Sequence, residues 1–156
     1  MAGRVRHVGW TVLAVYLSGG CSWITDFAVL NGSEDTLHVD YELRQRHDIR
    51  RGFVYEAPAV APVDSVRKYG TTWTALKKDD VAFDSSMRRV SVELPSRTAL
   101  RITRNLTFVG DSADSARFNV VALRLAGNSL QREIADPVLL SAFERRSRQL
   151  YIITFP

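Results

Sequence analysis

Few side chains in this sequence are of the types that carry out chemistry, and the best placed are His38 and Asp40. Residues two apart on a strand point to the same face, and a histidine and a carboxylate at that spacing can hold a metal ion. A complete site needs a third and a fourth ligand, and no motif supplies them. We therefore predict no metal site, with His38 and Asp40 as the only weak candidates, and interpret the pair as a polar strand face.

The other reactive residue types form no catalytic pattern. There is no glycine-rich phosphate loop and no Gly-x-Ser-x-Gly motif, and the serines have no evident base partner, since His47 lies in the charged stretch 44–51. The pair Asp79 and Asp80 follows two lysines, which is typical of a hydrated turn. We predict no cofactor. A hydrolase site made of carboxylates from separate loops stays an open alternative, because such residues need to be close in space and not in sequence.

Three aromatic residues offer apolar area to a partner or a sugar ring: Trp23, Trp73 and Tyr69. A tryptophan in a strand is more often part of the core. Trp23 stands two residues after Cys21 and suits a membrane interface. The sequence leaves the binding residues unknown.

The first twenty-one residues have the order of a secretory signal. Arg4 and Arg6 form a basic opening, the segment 8–17 is apolar and uncharged, and small residues precede Cys21. A helix needs about 20 apolar residues to span a bilayer, so this shorter run indicates a signal to be removed. The chain has one cysteine, which excludes an intrachain disulfide and a cysteine-rich zinc site.

The stretch Leu17-Ser18-Gly19-Gly20-Cys21 resembles the lipobox of bacterial lipoproteins. The resemblance covers the signal alone and implies that the thiol of Cys21 receives a diacylglyceryl group and that the chain is cut before it. Acyl chains would then hold the protein on a lipid bilayer. The residue after the cysteine is Ser22 rather than aspartate, which in this class favours the outer membrane, facing the periplasm.

The charge balance argues against nucleic acid as a partner. The whole chain carries a formal net charge of +4, but removal of Arg4 and Arg6 with the signal takes away two of these charges. The remaining arginines occur as scattered pairs rather than as a stripe.

Alternation of apolar and polar residues predicts several short strands. In the segment 36–43, Leu37, Val39, Tyr41 and Leu43 share one face, which indicates a half-buried antiparallel strand. Four further segments have related patterns: 90–94, 100–103, 118–125 and 150–155. Asn31-Gly32 predicts a hairpin between 24–30 and 36–43. The stretch 56–64, with two prolines, is interpreted as an edge crossing or an extended loop.

One helix is predicted near the end of the chain. Asp136 is placed to cap it, Pro137 suits its first position, and it would end near Arg146. Three apolar residues share one face of that helix: Leu139, Leu140 and Phe143. We therefore predict a mainly β chain, an immunoglobulin-like antiparallel β-sandwich of about seven or eight strands with one short C-terminal helix.

The predicted organisation is a signal peptide over 1–20, an acylated tether over 21–24 and a single sandwich domain over 25–156. The expected function is a non-enzymatic binding or structural module of the bacterial envelope, attached to the bilayer through acylated Cys21. Its partner would be an envelope protein or a glycan. The alternative is a small hydrolase of envelope polymers, because a sandwich can serve either function.

Overall fold

The computed structural model describes residues 22–44, 57–66, 70–108 and 118–156, and in these ranges the chain forms eleven strands. The strands are β1 (Ser22–Asn31), β2 (Leu37–Leu43), β3 (Ala59–Pro62), β4 (Thr74–Ala75), β5 (Ala82–Asp84), β6 (Arg89–Leu94), β7 (Thr98–Phe108), β8 (Val120–Ala126), β9 (Gln131–Ala135), β10 (Glu144–Ser147) and β11 (Leu150–Phe155). The same ranges contain three short 3-10 turns: Val63–Ser65, Lys78–Asp80 and Leu140–Ala142.

The strands form two sheets that pack face to face, which confirms the predicted β-sandwich. Sheet A has the order β10-β11-β1-β7-β3-β4, and sheet B has the order β5-β6-β2-β8-β9. β1 pairs with β11 in parallel, and the other described pairings are antiparallel. β1 already begins at Ser22, inside the segment predicted as a tether.

The core between the sheets is built by the alternation that the sequence shows. In β2 the predicted residues are buried in strict alternation, and Val39 lies opposite Val92 of β6 and Leu125 of β8. Phe27 of β1 lies at the centre of an aromatic cluster, with its ring centroid 4.8 Å from that of Phe118 and 5.0 Å from that of Tyr151. Close-packed apolar and aromatic contacts of this kind are the main source of stability in a domain without disulfides.

Sheet A also carries an apolar cluster on its outer face. The cluster contains Ala28, Leu30, Ala99, Leu150 and Ile152, and Val63, Val66 and Trp73 pack against it. The chain after β3 therefore covers this face. The outer face of sheet B is polar instead, because His38, Asp40 and Glu42 of β2 alternate with the core residues.

The predicted hairpin around Asn31-Gly32 is wrong. β1 belongs to sheet A and β2 to sheet B, so the connection crosses from one sheet to the other. Asn31 is completely buried, and its side-chain amide donates to the carbonyl oxygens of Asp35, Leu94 and Pro95. An asparagine that bonds backbone groups builds a corner as readily as a tight turn, which explains the misleading signal.

The predicted C-terminal helix is reduced to the 3-10 turn Leu140–Ala142. The chain continues from it as β10, which pairs with β11, and Phe143 and Leu139 are buried in the main core. A helix of about ten residues is marginal in water without tertiary support. In this chain the tertiary support comes from pairing with β11, which stabilises an extended backbone in β10 rather than a helix.

The stretch 56–64 also differs from the prediction, because Ala59–Pro62 forms strand β3. It lies between β7 and β4 in sheet A rather than outside the sheet. Pro62 stands at the last position of the strand, where the missing N–H is tolerated.

Candidate functional site

The most concentrated group of polar side chains lies on the outer face of sheet B, around His38. The Nδ1 atom of His38 lies 2.6 Å from Oε1 of Glu93, and Nε2 lies 3.2 Å from Oδ2 of Asp40. The strand register explains this arrangement, because His38 is directly opposite Glu93 in the β2–β6 pairing. Side chains directly opposite each other in an antiparallel pair are within contact distance.

The surroundings of His38 favour the charged form of its imidazole. Its pKa is raised above the ordinary value of 6.5, chiefly by the hydrogen bond to Glu93 and further by the negative charge of Asp40, while partial burial opposes the shift. An imidazolium between two carboxylates uses both ring nitrogens as donors. A metal ion would have to displace one of these partners.

The structure thus brings the two candidate ligands together, but as ion pairs. In the part of the chain that the structure describes, no group of three or more histidine, cysteine or acidic side chains is arranged to hold a metal ion. His38, Asp40 and Glu93 form a cross-strand network of polar contacts.

Ser91 extends this network but does not form a nucleophilic site. Its hydroxyl donates to Oδ1 of Asp40, whose other oxygen faces His38. In a serine hydrolase the imidazole lies between the serine and the carboxylate, so that it can accept the hydroxyl proton. Here the carboxylate of Asp40 lies between the hydroxyl and the imidazole, and a carboxylate is a weak base toward a hydroxyl group.

A groove of about 640 Å³ opens beside this network, between β6 of sheet B and the β3–β7 side of sheet A. Its apolar lining includes Val60, Leu76, Val92 and Pro95. Its polar lining includes His38 and Glu93 together with Asp79 and Asp80 of the 3-10 turn Lys78–Asp80. Apolar lining with a few polar groups is the composition of a ligand site, and the carboxylates suit hydroxyl or amine donors.

The groove lies at one end of the sandwich, and the start of β1 lies at the other. Pro95 and Thr98 line the groove, and the side chain of Asn31, the last residue of β1, donates to the carbonyl of Pro95 at 3.0 Å. β1 contains ten residues. At about 3.3 Å per residue, Ser22 is roughly 30 Å from the groove end of the sandwich.

Trp73 is a structural residue rather than an exposed platform. It is half-buried against the outer apolar cluster of sheet A, and its indole N–H donates to Oδ2 of Asp26 at 2.9 Å. The guanidinium of Arg101 lies 5.7 Å from the centroid of its ring. Cys21, His47 and Tyr69 lie outside the described residues, as does the side chain of Trp23.

The sequence does not reveal the roles of two residues, Glu93 and Asn31. Glu93 is one of several acids in a strand, and only the β2–β6 register places it against His38. Asn31 carries a signal, but for the wrong structure. In both cases the partner lies far away along the chain, more than fifty residues for Glu93 and more than sixty for the Leu94 carbonyl.

No helix among the described residues has the length and apolar character needed to cross a membrane. The chain matches no family model, no curated protein and no solved structure at a significant level of similarity.

Proposed function

We propose that this protein is a non-enzymatic binding module of the bacterial envelope, held at a bilayer by acylated Cys21, with its ligand groove directed away from the lipid. One observation carries the proposal. The lipobox-like cysteine directly precedes β1, and the groove lies at the opposite end of that strand. With no residue between Cys21 and the first strand residue, the anchor would hold the Ser22 end of the sandwich close to the headgroups.

The groove supports binding in preference to reaction. Its lining combines apolar area with carboxylates, and the neighbouring hydroxyl, carboxylate and imidazole are in an order unsuited to nucleophilic attack. The expected partner is an envelope protein or a glycan that places amine or hydroxyl groups against Glu93. The proposed location is the outer membrane, facing the periplasm.

The anchor is tested by intact-mass analysis of the membrane fraction of cells that produce the full chain. We expect a chain that begins at Cys21 with added acyl mass, and we expect Cys21→Ser to lose both the acyl mass and membrane attachment. Ser22→Ala is the matched control, because it changes the adjacent residue and keeps the thiol. A wild-type chain that carries no acyl mass would contradict the anchor.

Binding is tested by titrating the purified protein with soluble peptidoglycan fragments and following chemical shifts of residues that line the groove. Glu93→Gln should weaken binding about tenfold or more, since it removes a charged acceptor. Glu133→Gln is the matched control, because Glu133 is on the outer face of the same sheet and does not line the groove. Equal effects of the two variants would contradict the proposed site.

The same preparation distinguishes the alternative function. Asp79, Asp80 and Glu93 line one groove, and a hydrolase that uses carboxylates from separate segments requires such a gathering. Cleavage of the fragments by the wild-type chain, abolished in Glu93→Gln, would establish the hydrolase and overturn the binding module.

A further inference from the structure

The first strand and the turn between β10 and β11 lie side by side at one end of the sandwich. The hydroxyl of Thr25 donates to the carbonyl oxygen of Arg148 at 3.1 Å, and the backbone N–H of Asp26 donates to that of Gln149 at 2.9 Å. Thr25 stands three positions after Ser22, the first residue of β1. At about 3.3 Å per residue, the turn is therefore within roughly 10 Å of Ser22 along the strand direction.

The strands on this side of sheet A have an excess of positive charge. Strands β1, β7, β10 and β11, with the β10–β11 turn, carry five arginines and only two carboxylates. The arginines are Arg101, Arg104, Arg145, Arg146 and Arg148, and the carboxylates are Asp26 and Glu144. Asp26 accepts from Arg104 at 2.6 Å, and Glu144 lies 3.1 Å from Arg146.

Three of these arginines are exposed and close together in the chain: Arg145, Arg146 and Arg148. A guanidinium has five donors in a planar fork, so a pairing such as that of Arg146 with Glu144 leaves donors for a phosphate. Ile24 is about half exposed, at 49%, on the same end of β1. An exposed apolar side chain and exposed arginines at the same end of a sheet form a combination that favours the interface of an anionic membrane.

We propose that Arg145, Arg146 and Arg148 form a phosphate-binding surface that rests on the anionic phospholipid headgroups beside Cys21. This inference rests on the proposed lipid anchor, and it adds that the domain itself contacts the bilayer and takes a fixed orientation there. The phospholipid is the occupant because the anchor would place these arginines at headgroup level. Each arginine near an anionic surface contributes about a fivefold gain in affinity, so the three together contribute about a hundredfold.

The test uses the chain that starts at Ser22, which has no acyl anchor but contains all eleven described strands and both apolar clusters. Its sedimentation is measured with vesicles of phosphatidylcholine containing about 40% phosphatidylglycerol, and with pure phosphatidylcholine vesicles. We expect binding to the anionic vesicles alone, with loss of binding at about 0.5 M salt. The triple variant Arg145→Gln, Arg146→Gln, Arg148→Gln should bind about a hundredfold more weakly.

The matched control has the same change of net charge on the opposite sheet: Arg89→Gln, Arg124→Gln and Arg132→Gln. It should bind the anionic vesicles like the wild-type chain, and thermal unfolding checks that both triple variants are folded. Equal loss in the two triple variants, or no binding by the wild-type chain, would overturn the proposed surface. Equally tight, arginine-dependent binding of a short DNA duplex would also overturn it in favour of a general polyanion site.

The outcome is separable from that of the anchor. If the full chain is acylated but the chain that starts at Ser22 does not bind anionic vesicles, the arginine surface is overturned and the anchor is retained. If the full chain carries no acyl mass but the chain that starts at Ser22 binds those vesicles, the anchor is overturned and the arginine surface is retained.

Discussion

The two sheets share one core but differ in what they present on their outer faces. The outer face of sheet A is an apolar cluster covered by Trp73 and the residues after β3, whereas that of sheet B is a network of cross-strand ion pairs. Their charges also differ in sign. The strands of sheet B carry five carboxylates against three arginines and His38, and sheet A with its β10–β11 turn has an excess of arginines.

This difference shows that the alternation of apolar and polar residues along a strand determines which side chains enter the core. The composition of an outer face depends instead on whether another segment of the chain packs across it. β1 contains the uninterrupted apolar run Phe27–Leu30, which is buried on both faces. In β2, buried and half-buried residues alternate strictly, so its polar outer side does not need an apolar segment packed over it. The two proposed surfaces follow this division, with the lipid-facing arginines on sheet A and the groove bordered by the acidic sheet B.

The largest effect is expected from Val39→Asp in the core of sheet B. Val39 is fully buried between Val92 and Leu125, so the carboxylate would be desolvated without a partner. The cost of several kcal/mol is a large share of a total stability of about 5–15 kcal/mol. Thermal unfolding of the chain from Ser22 onward should show no folded state, whereas Asp40→Ala should cost about 1 kcal/mol. Greater damage from the Asp40 change would mean that the strand register is different.

Ile152→Ala tests whether the outer face of sheet A is a true apolar cluster. Ile152 is 4% exposed and packs on that face, so its truncation should cost about 2–4 kcal/mol in urea unfolding. Thr154→Ala on the same strand is exposed and should cost about 0.5 kcal/mol. Similar, small losses for the two variants would remove the contrast between the two outer faces.

Asn31→Ala tests the corner where the two sheets are joined. The change removes the donor to the carbonyls of Leu94 and Pro95, which would leave buried acceptors without this partner. We expect a loss of about 2–3 kcal/mol in urea unfolding. Ser33→Ala, which removes a half-exposed hydroxyl that donates to Asn31, should lose about 1 kcal/mol or less. A corner that tolerates both changes equally would show that Asn31 is not its main support.

The smallest effect is expected from His38→Gln and depends on pH. The raised pKa of His38 means that its ion pairs stabilise the fold at pH values below the ordinary 6.5 and stop doing so as the pH rises through the folded-state pKa. Because the side chain is 42% exposed, the difference in unfolding free energy between wild type and variant should be under about 1 kcal/mol at pH 5.5. It should vanish near pH 9 if only the imidazolium contributes. A difference that stays constant over this range would assign His38 an uncharged packing role.

Much of the inner architecture could be read from the sequence. The period-two pattern correctly predicts the β-sandwich, the residues of β2 that face the core and the span of β11 at 150–155. The two side chains proposed to share a strand face, His38 and Asp40, do so. Such features are local, because alternation along one strand decides which residues face the core.

Three features were decided by tertiary structure alone. At Asn31, where the sequence predicts a hairpin, the chain crosses from one sheet to the other. The side-chain amide of Asn31 stabilises this crossing by donating to carbonyls more than sixty residues away. The predicted C-terminal helix is reduced to the 3-10 turn Leu140–Ala142, and its last residues belong to β10, because β11 offers them a hydrogen-bonding edge. The site around His38 needed Glu93, which only the strand register supplies. Local periodicity fixes which side of a segment is buried, whereas pairing between distant segments decides its neighbours, and a sequence does not display that pairing directly.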